Sequence, residues 1–129
     1  MELKCLIIED ASFMREIYRH ALAASPGIVI VGEATDGEEA IRLLSELKPD
    51  IMLLDLVLPV KSGLDILREL SLVSPKTKAI VISSIEDEKT IMKAKALGVI
   101  SYIKKPFTKS DILAAFDEVS KNYAEVENG

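Results

Sequence analysis

Ile51-Met52-Leu53-Leu54-Asp55-Leu56-Val57-Leu58-Pro59-Val60-Lys61-Ser62-Gly63 is the stretch on which the fold turns. Four apolar residues in succession lead into one acid. A short apolar run without alternation is the pattern of a central strand covered on both faces. Pro59 cannot continue such a strand, and Gly63 opens a new turn or helix. Asp55 is therefore predicted to stand at the carboxyl end of a buried strand, the edge where open α/β sheets place their ligands.

The flanking sequence repeats the same grammar. Leu3 to Ile8 reads as a buried strand ended by Glu9-Asp10, and Ile28 to Val31 as a second. Ala79-Ile80-Val81-Ile82 is a fourth, running into Ser83-Ser84, and Val99 to Ile103 is a short fifth. Between them lie helical stripes. Ser12 is predicted to cap the first, which buries Phe13, Met14, Ile17, Tyr18, Ala21 and Leu22. Thr35-Asp36-Gly37-Glu38 is turn chemistry with a capping box before Ala40, Leu43, Leu44 and Leu47. Leu64, Leu67 and Leu70 mark the third helix. Glu86, Asp87 and Glu88 crowd the start of the fourth, and Gly98 stops it. Thr108 caps the last, which buries Ile112, Leu113, Phe116 and Val119. Strands alternating with helices predict an α/β fold: a doubly wound, five-stranded parallel sheet with five helices. Residues 1–122 are expected to form one domain and 123–129 a polar carboxyl-terminal tail.

Composition sets outer bounds. The chain has 129 residues, a formal charge of −5 and 49% hydrophobic residues, enough for one domain with its own core. The acidic balance argues against direct nucleic-acid binding. Cys5 is the single cysteine and lies in an apolar run, so no disulfide framework or thiolate metal cluster is expected. No apolar stretch is long enough to span a membrane, and Leu6-Ile7-Ile8 runs straight into two acids rather than forming a secretory core. A reducing, cytoplasmic setting is the expectation. His20 stands alone on a helix and is assigned no role.

In a doubly wound sheet the carboxyl ends of the strands share one edge. Glu9, Asp10, Asp55, Ser83 or Ser84, and Lys105 would gather there. Taken singly each has an ordinary reading: a helix cap, a surface acid, a strand-end hydroxyl, a solvated lysine. Together they make a chemical setting. Crowded carboxylates repel and raise one another's pKa, and a divalent cation relieves that. A few carboxylates with room for water suit Mg²⁺ better than a calcium cage. A metal, a lysine and a hydroxyl around one carboxylate suit phosphoryl transfer to it, where catalysis is mostly positioning and charge neutralisation.

At these residues the chain resembles the receiver domain of bacterial two-component response regulators, from about Leu3 to Ser120. The resemblance rests on Glu9-Asp10 after the first strand, on Ala34-Thr35-Asp36-Gly37-Glu38-Glu39-Ala40, and on Asp55 with Pro59 and Gly63 at the family's offsets. It also rests on Ser83 and on Tyr102-Ile103-Lys104-Lys105-Pro106-Phe107. It implies a flavodoxin-like strand order, 2-1-3-4-5. It implies that Asp55 accepts a phosphoryl group from a histidine kinase or phosphotransfer protein. Asp10, Asp55 and the backbone carbonyl of Val57 would ligate Mg²⁺, with Glu9 acting mostly through water. Lys105, not Lys104, would bind the phosphoryl group, and the Lys105–Pro106 bond would be cis. Ser83 would be the switch hydroxyl and Tyr102 the switch aromatic. The implied output surface, for a downstream protein target, is helix four, strand five and helix five. Lys89, Lys93, Lys95, Lys104, Lys105 and Lys109 make that segment basic; the ordinary reading is a solvated face, and the sharper one is a surface for a partner segment rich in acids. Val57 and Ile85 cannot orient an attacking water, so slow self-dephosphorylation is expected. Glu9 stands where many members have Asp, and Ser83 where threonine is commoner.

The resemblance describes a signalling module rather than an enzyme. An aspartate-nucleophile phosphatase would want an acid at position 57, where Val57 stands. A flavin or nucleotide module of the same winding would want a phosphate-cradling loop after the first strand, where Glu9-Asp10 stand. A receiver-like interaction domain that takes no phosphate would not need the full set of site residues.

Overall fold

The computed structural model describes residues 2–128, with side chains through Tyr123. Its elements alternate along the chain. They are β1 (Leu3–Ile8), α1 (Ser12–Ala23), β2 (Ile28–Ala34), α2 (Gly37–Leu47), β3 (Ile51–Leu54), α3 (Gly63–Val73), β4 (Lys78–Ser83), α4 (Glu88–Ala96), β5 (Ser101–Lys104) and α5 (Lys109–Asn128). All neighbouring strands are parallel, in the order β2-β1-β3-β4-β5. This is the flavodoxin-like, doubly wound sheet expected from the alternation of short apolar runs with amphipathic helices.

Period-two alternation sends each central strand's side chains to two separate cores. Cys5, Ile7, Ile51, Leu53, Ile80 and Ile82 pack with Tyr18 and Leu22 of α1 and with Ile112 and Phe116 of α5. Leu6, Ile8, Met52, Leu54, Ala79 and Val81 pack on the other face with Leu44 of α2, Ile66 and Leu67 of α3 and Ala94 of α4. Every residue of β3 is buried, as a run without polar alternation requires. Cys5 is fully buried, and burial pushes its thiol well above the usual range, so it is a core residue.

Local signals set most element ends. Asp36 accepts from the Glu39 amide at 2.9 Å while Glu39 accepts from the Thr35 amide at 2.9 Å, a reciprocal capping box. Thr108 and Asp111 make the same exchange at α5. Gly98 follows α4 with φ of +95°, a left-handed position that suits glycine. Gly63 is required by close approach: a Cβ there would lie 2.6 Å from the Leu56 Cα.

Three expectations are corrected. Ser12 is not the cap of α1; Ala11 holds that position without a side-chain bond, and Ser12 is already helical. Phe13 and Ile17 stay 63% and 41% exposed, because the face of α1 turned to the sheet is filled by Met14, Tyr18, Ala21 and Leu22. The polar stretch expected as a tail from 123 instead continues α5 to Asn128. Tyr123 anchors it, donating to the carbonyl of Asp50 at 2.6 Å and that of Lys76 at 3.2 Å. Among the described residues, no helix is long and apolar enough to cross a membrane.

Candidate functional site

The site grows out of the sheet's hydrogen-bond ladder. Beyond the last residue of β1, the Glu9 amide still donates to Ala34 of β2 at 3.0 Å. Beyond β3, the Asp55 amide donates to Ile8 at 3.1 Å, and beyond β5 the Lys105 amide donates to Ser83 at 2.9 Å. Ile8 pairs with Leu54, so the acids that follow them stand side by side. Lys105 comes from β5, two strands from β3, roughly 10 Å between strand axes. Its long side chain spans that gap.

The charges converge. The Lys105 ammonium donates to Asp55 Oδ2 at 3.0 Å and to Glu9 Oε1 at 3.2 Å. Asp55 Oδ1 accepts from the Val57 amide at 3.0 Å. Glu9 Oε2 accepts from the Ala11 amide at 3.3 Å, and Oε1 also accepts from the Tyr18 hydroxyl at 3.2 Å. Glu9 and Asp55 are buried, whereas Asp10 is exposed at the mouth. Glu9, Asp10 and Asp55 each offer an oxygen within 4.8 Å of the others.

Burial, and next the charge of Asp55, hold the Glu9 carboxyl above the usual range against the pull of the Ala11 amide and Lys105. Burial alone would lower the Lys105 ammonium, but its hydrogen bond to Asp55 and the two carboxylate charges hold it above the usual lysine range. Burial, then Glu9's charge, keeps the Tyr18 phenol protonated far above the usual tyrosine range, so the phenol is the donor. Two buried carboxylates share one ammonium, and a third, exposed carboxylate lies beside them. Hard oxygens in this number, open to water on the Asp10 side, fit Mg²⁺.

The structure thus brings together Glu9, Asp10, Asp55 and Lys105, and gives the Lys105–Pro106 bond as cis. Ser83 lies at the same edge, fully buried, but its hydroxyl accepts from the Ile85 amide at 3.3 Å. Tyr102 donates to the Ile85 carbonyl at 2.9 Å. Both meet on the loop between β4 and α4 rather than on the acids. Ser84 is exposed, and Lys104 points to solvent.

Two partners were not read from sequence as parts of the site. Arg15 donates to the carbonyls of Glu9 at 2.8 Å and Asp10 at 3.1 Å, bracing the acid pair, and its guanidinium reaches Glu33 at 3.3 Å. Tyr18 lies within an apolar stripe, and the pattern along the chain assigns it to the core. The available signal was its hydroxyl, since a buried phenol seeks a partner.

The sequence profile described as response regulator receiver domain matches residues 5–117. The chain is 36% identical to the chemotaxis protein CheY of Thermotoga maritima over 94% of its own length and 100% of that protein. It is 35% identical to protein CcdB of Bacillus subtilis over 90% of its length and 96% of that protein. Among solved structures, the receiver domain of the NarL response regulator from Mycobacterium tuberculosis superposes with a TM-score of 0.86 at 26% identity, covering 93% of this chain and 97% of that one. The chain belongs to the response regulator receiver domain family.

Proposed function

We propose that this receiver domain takes a phosphoryl group on Asp55 from a phosphohistidine of a kinase or phosphotransfer protein. The observation that carries the reading is the buried Asp55 carboxylate, bonded at 3.0 Å to Lys105 and clustered with Glu9 and Asp10 at the carboxyl edge of the sheet. A carboxylate oxygen of Asp55 forms the new P–O bond as the donor's P–N bond breaks, and the imidazole leaves. Lys105 exchanges part of its bonding to Asp55 for the phosphoryl oxygens. Glu9, Asp10, Asp55 and the backbone carbonyl of Val57 would hold Mg²⁺, which when bound neutralises charge on the transferring group.

The switch side follows from the same edge. Ser83 moves its hydroxyl from the Ile85 amide toward the new phosphoryl group, and Tyr102 gives up the Ile85 carbonyl and turns inward. The readout surface is α4, β5 and α5, where Lys93, Lys95, Lys104 and Lys109 are exposed and a downstream protein with acidic residues docks. The domain works in the cytoplasm as a signalling module.

The test is incubation with Mg²⁺ and acetyl phosphate, read by mass spectrometry of the intact chain. A gain of one phosphoryl group that Asp55→Asn abolishes is expected. A gain that survives Asp55→Asn, or none in the parent, overturns the reading.

A further inference from the structure

Tyr18 touches both arms of the site. Its hydroxyl donates to Glu9 Oε1 at 3.2 Å. Its ring, 2% exposed, packs on Phe107 with centroids 5.8 Å apart. Phe107 lies two residues after Lys105 on the turn that carries the ammonium. Glu9 Oε1 therefore has two donors, the Tyr18 hydroxyl and the Lys105 ammonium, and Oε2 has the Ala11 amide.

A glutamate has one more side-chain torsion than an aspartate, so a carboxylate on this longer arm needs more anchoring to keep one orientation. The Ala11 amide is fixed by the start of α1, and the Lys105 ammonium is shared with Asp55. The phenol is the donor to Oε1 that does not leave when Lys105 turns to another ligand. We infer that Tyr18 is a positioning residue: its hydroxyl holds the Glu9 carboxylate in the orientation from which the acid cluster binds Mg²⁺, and leaves Lys105 free to serve Asp55. The inference rests on the metal reading of the site given above. Groups that orient metal-binding carboxylates commonly contribute about ten-fold or more to affinity.

The experiment is a double-mutant cycle on the full chain, with Mg²⁺ affinity read from the chemical shift of the Ala11 amide. Tyr18→Phe keeps the ring and its packing on Phe107 and removes only the hydroxyl. It should weaken Mg²⁺ binding about ten-fold in the parent. Glu9→Asp draws the carboxylate back by one methylene, out of reach of the phenol. In that background Tyr18→Phe should leave the affinity unchanged. Equal weakening in both backgrounds, or unchanged affinity in the parent background, overturns the inference while the metal site stands. A parent that shows no Mg²⁺ response overturns the metal reading and the inference with it.

Discussion

The two halves of the sheet's carboxyl edge are built differently. On the β1–β3 side, both strands are buried except at Lys4, and their acids continue the ladder by one more hydrogen bond each. Lys105, Glu9 and Asp55 there all have two or more bonds. On the β4–β5 side, no residue of β5 is fully buried, and α4 buries only Ile91 and Ala94. The side chains of Ser83 and Tyr102 are each bonded to Ile85, Ser83 to its amide and Tyr102 to its carbonyl. The contrast fits the division of labour proposed above. The half proposed to receive the phosphoryl group is over-determined, so the charges keep their geometry. In the half proposed to respond, β4 is buried except at Lys78, but β5 and α4 are thinly covered, so on that proposal a new ligand at the edge shifts them at small cost.

The largest expected effect tests that contrast in packing. Leu54→Ala empties a fully buried site in β3 and should cost about 3–4 kcal/mol in urea unfolding. Ile91→Ala in α4 should cost less, about 2 kcal/mol, because the thin cover over α4 can relax into the space. Equal losses would erase the distinction between the halves. Amide hydrogen exchange sharpens it: amides of α4 and β5 should exchange ahead of those of β1 and β3.

Next comes the one side chain that crosses from the responding half to the receiving half. Lys105→Ala should slow phosphoryl uptake from acetyl phosphate about 100-fold, the usual loss when a single charge-stabilising donor is removed. A rate near that of the parent would mean that the acids and metal suffice, and that the bridge across β4 has no catalytic part.

The smallest effect concerns pH. The Glu9 carboxyl is raised above its ordinary value of 4.5, first by burial and then by Asp55. The folded chain therefore holds that proton more tightly than the unfolded chain. Its contribution to stability is full below 4.5 and is lost as pH rises through the raised value. Urea unfolding without Mg²⁺ should show the parent gaining stability on Glu9→Gln as pH falls from neutral toward 4.5. A difference that stays constant over that range would show that Glu9 is not under electrostatic strain.

How much was legible varies by region for a physical reason. Asp55 could be placed because a buried parallel strand is short and wholly apolar, so its end announces itself. The Thr108 cap was legible because its partner lies only three residues on, whereas the capping box expected within Thr35-Asp36-Gly37-Glu38 falls one residue later, between Asp36 and Glu39. Ser12 misled because a serine before an apolar stripe satisfies the cap pattern one residue late. Phe13 and Ile17 misled because a helical stripe wider than the sheet can cover leaves its margin in water. Val60, in a left-handed conformation with φ of 71°, carried no signal, since a β-branched residue is the last expected there.

The sequence by itself determined the elements, their parallel winding and the list of polar groups at one edge, because periodicity and strand-end position are local properties. Only the tertiary structure decided which group holds which: that Lys105 lies between Asp55 and Glu9, that Tyr18 reaches back to Glu9, and that Ser83 and Tyr102 rest on Ile85. Those pairings join residues up to 96 positions apart, and strand register, helix rotation and the reach of single side chains set them. A pattern of neighbours along the chain contains none of these.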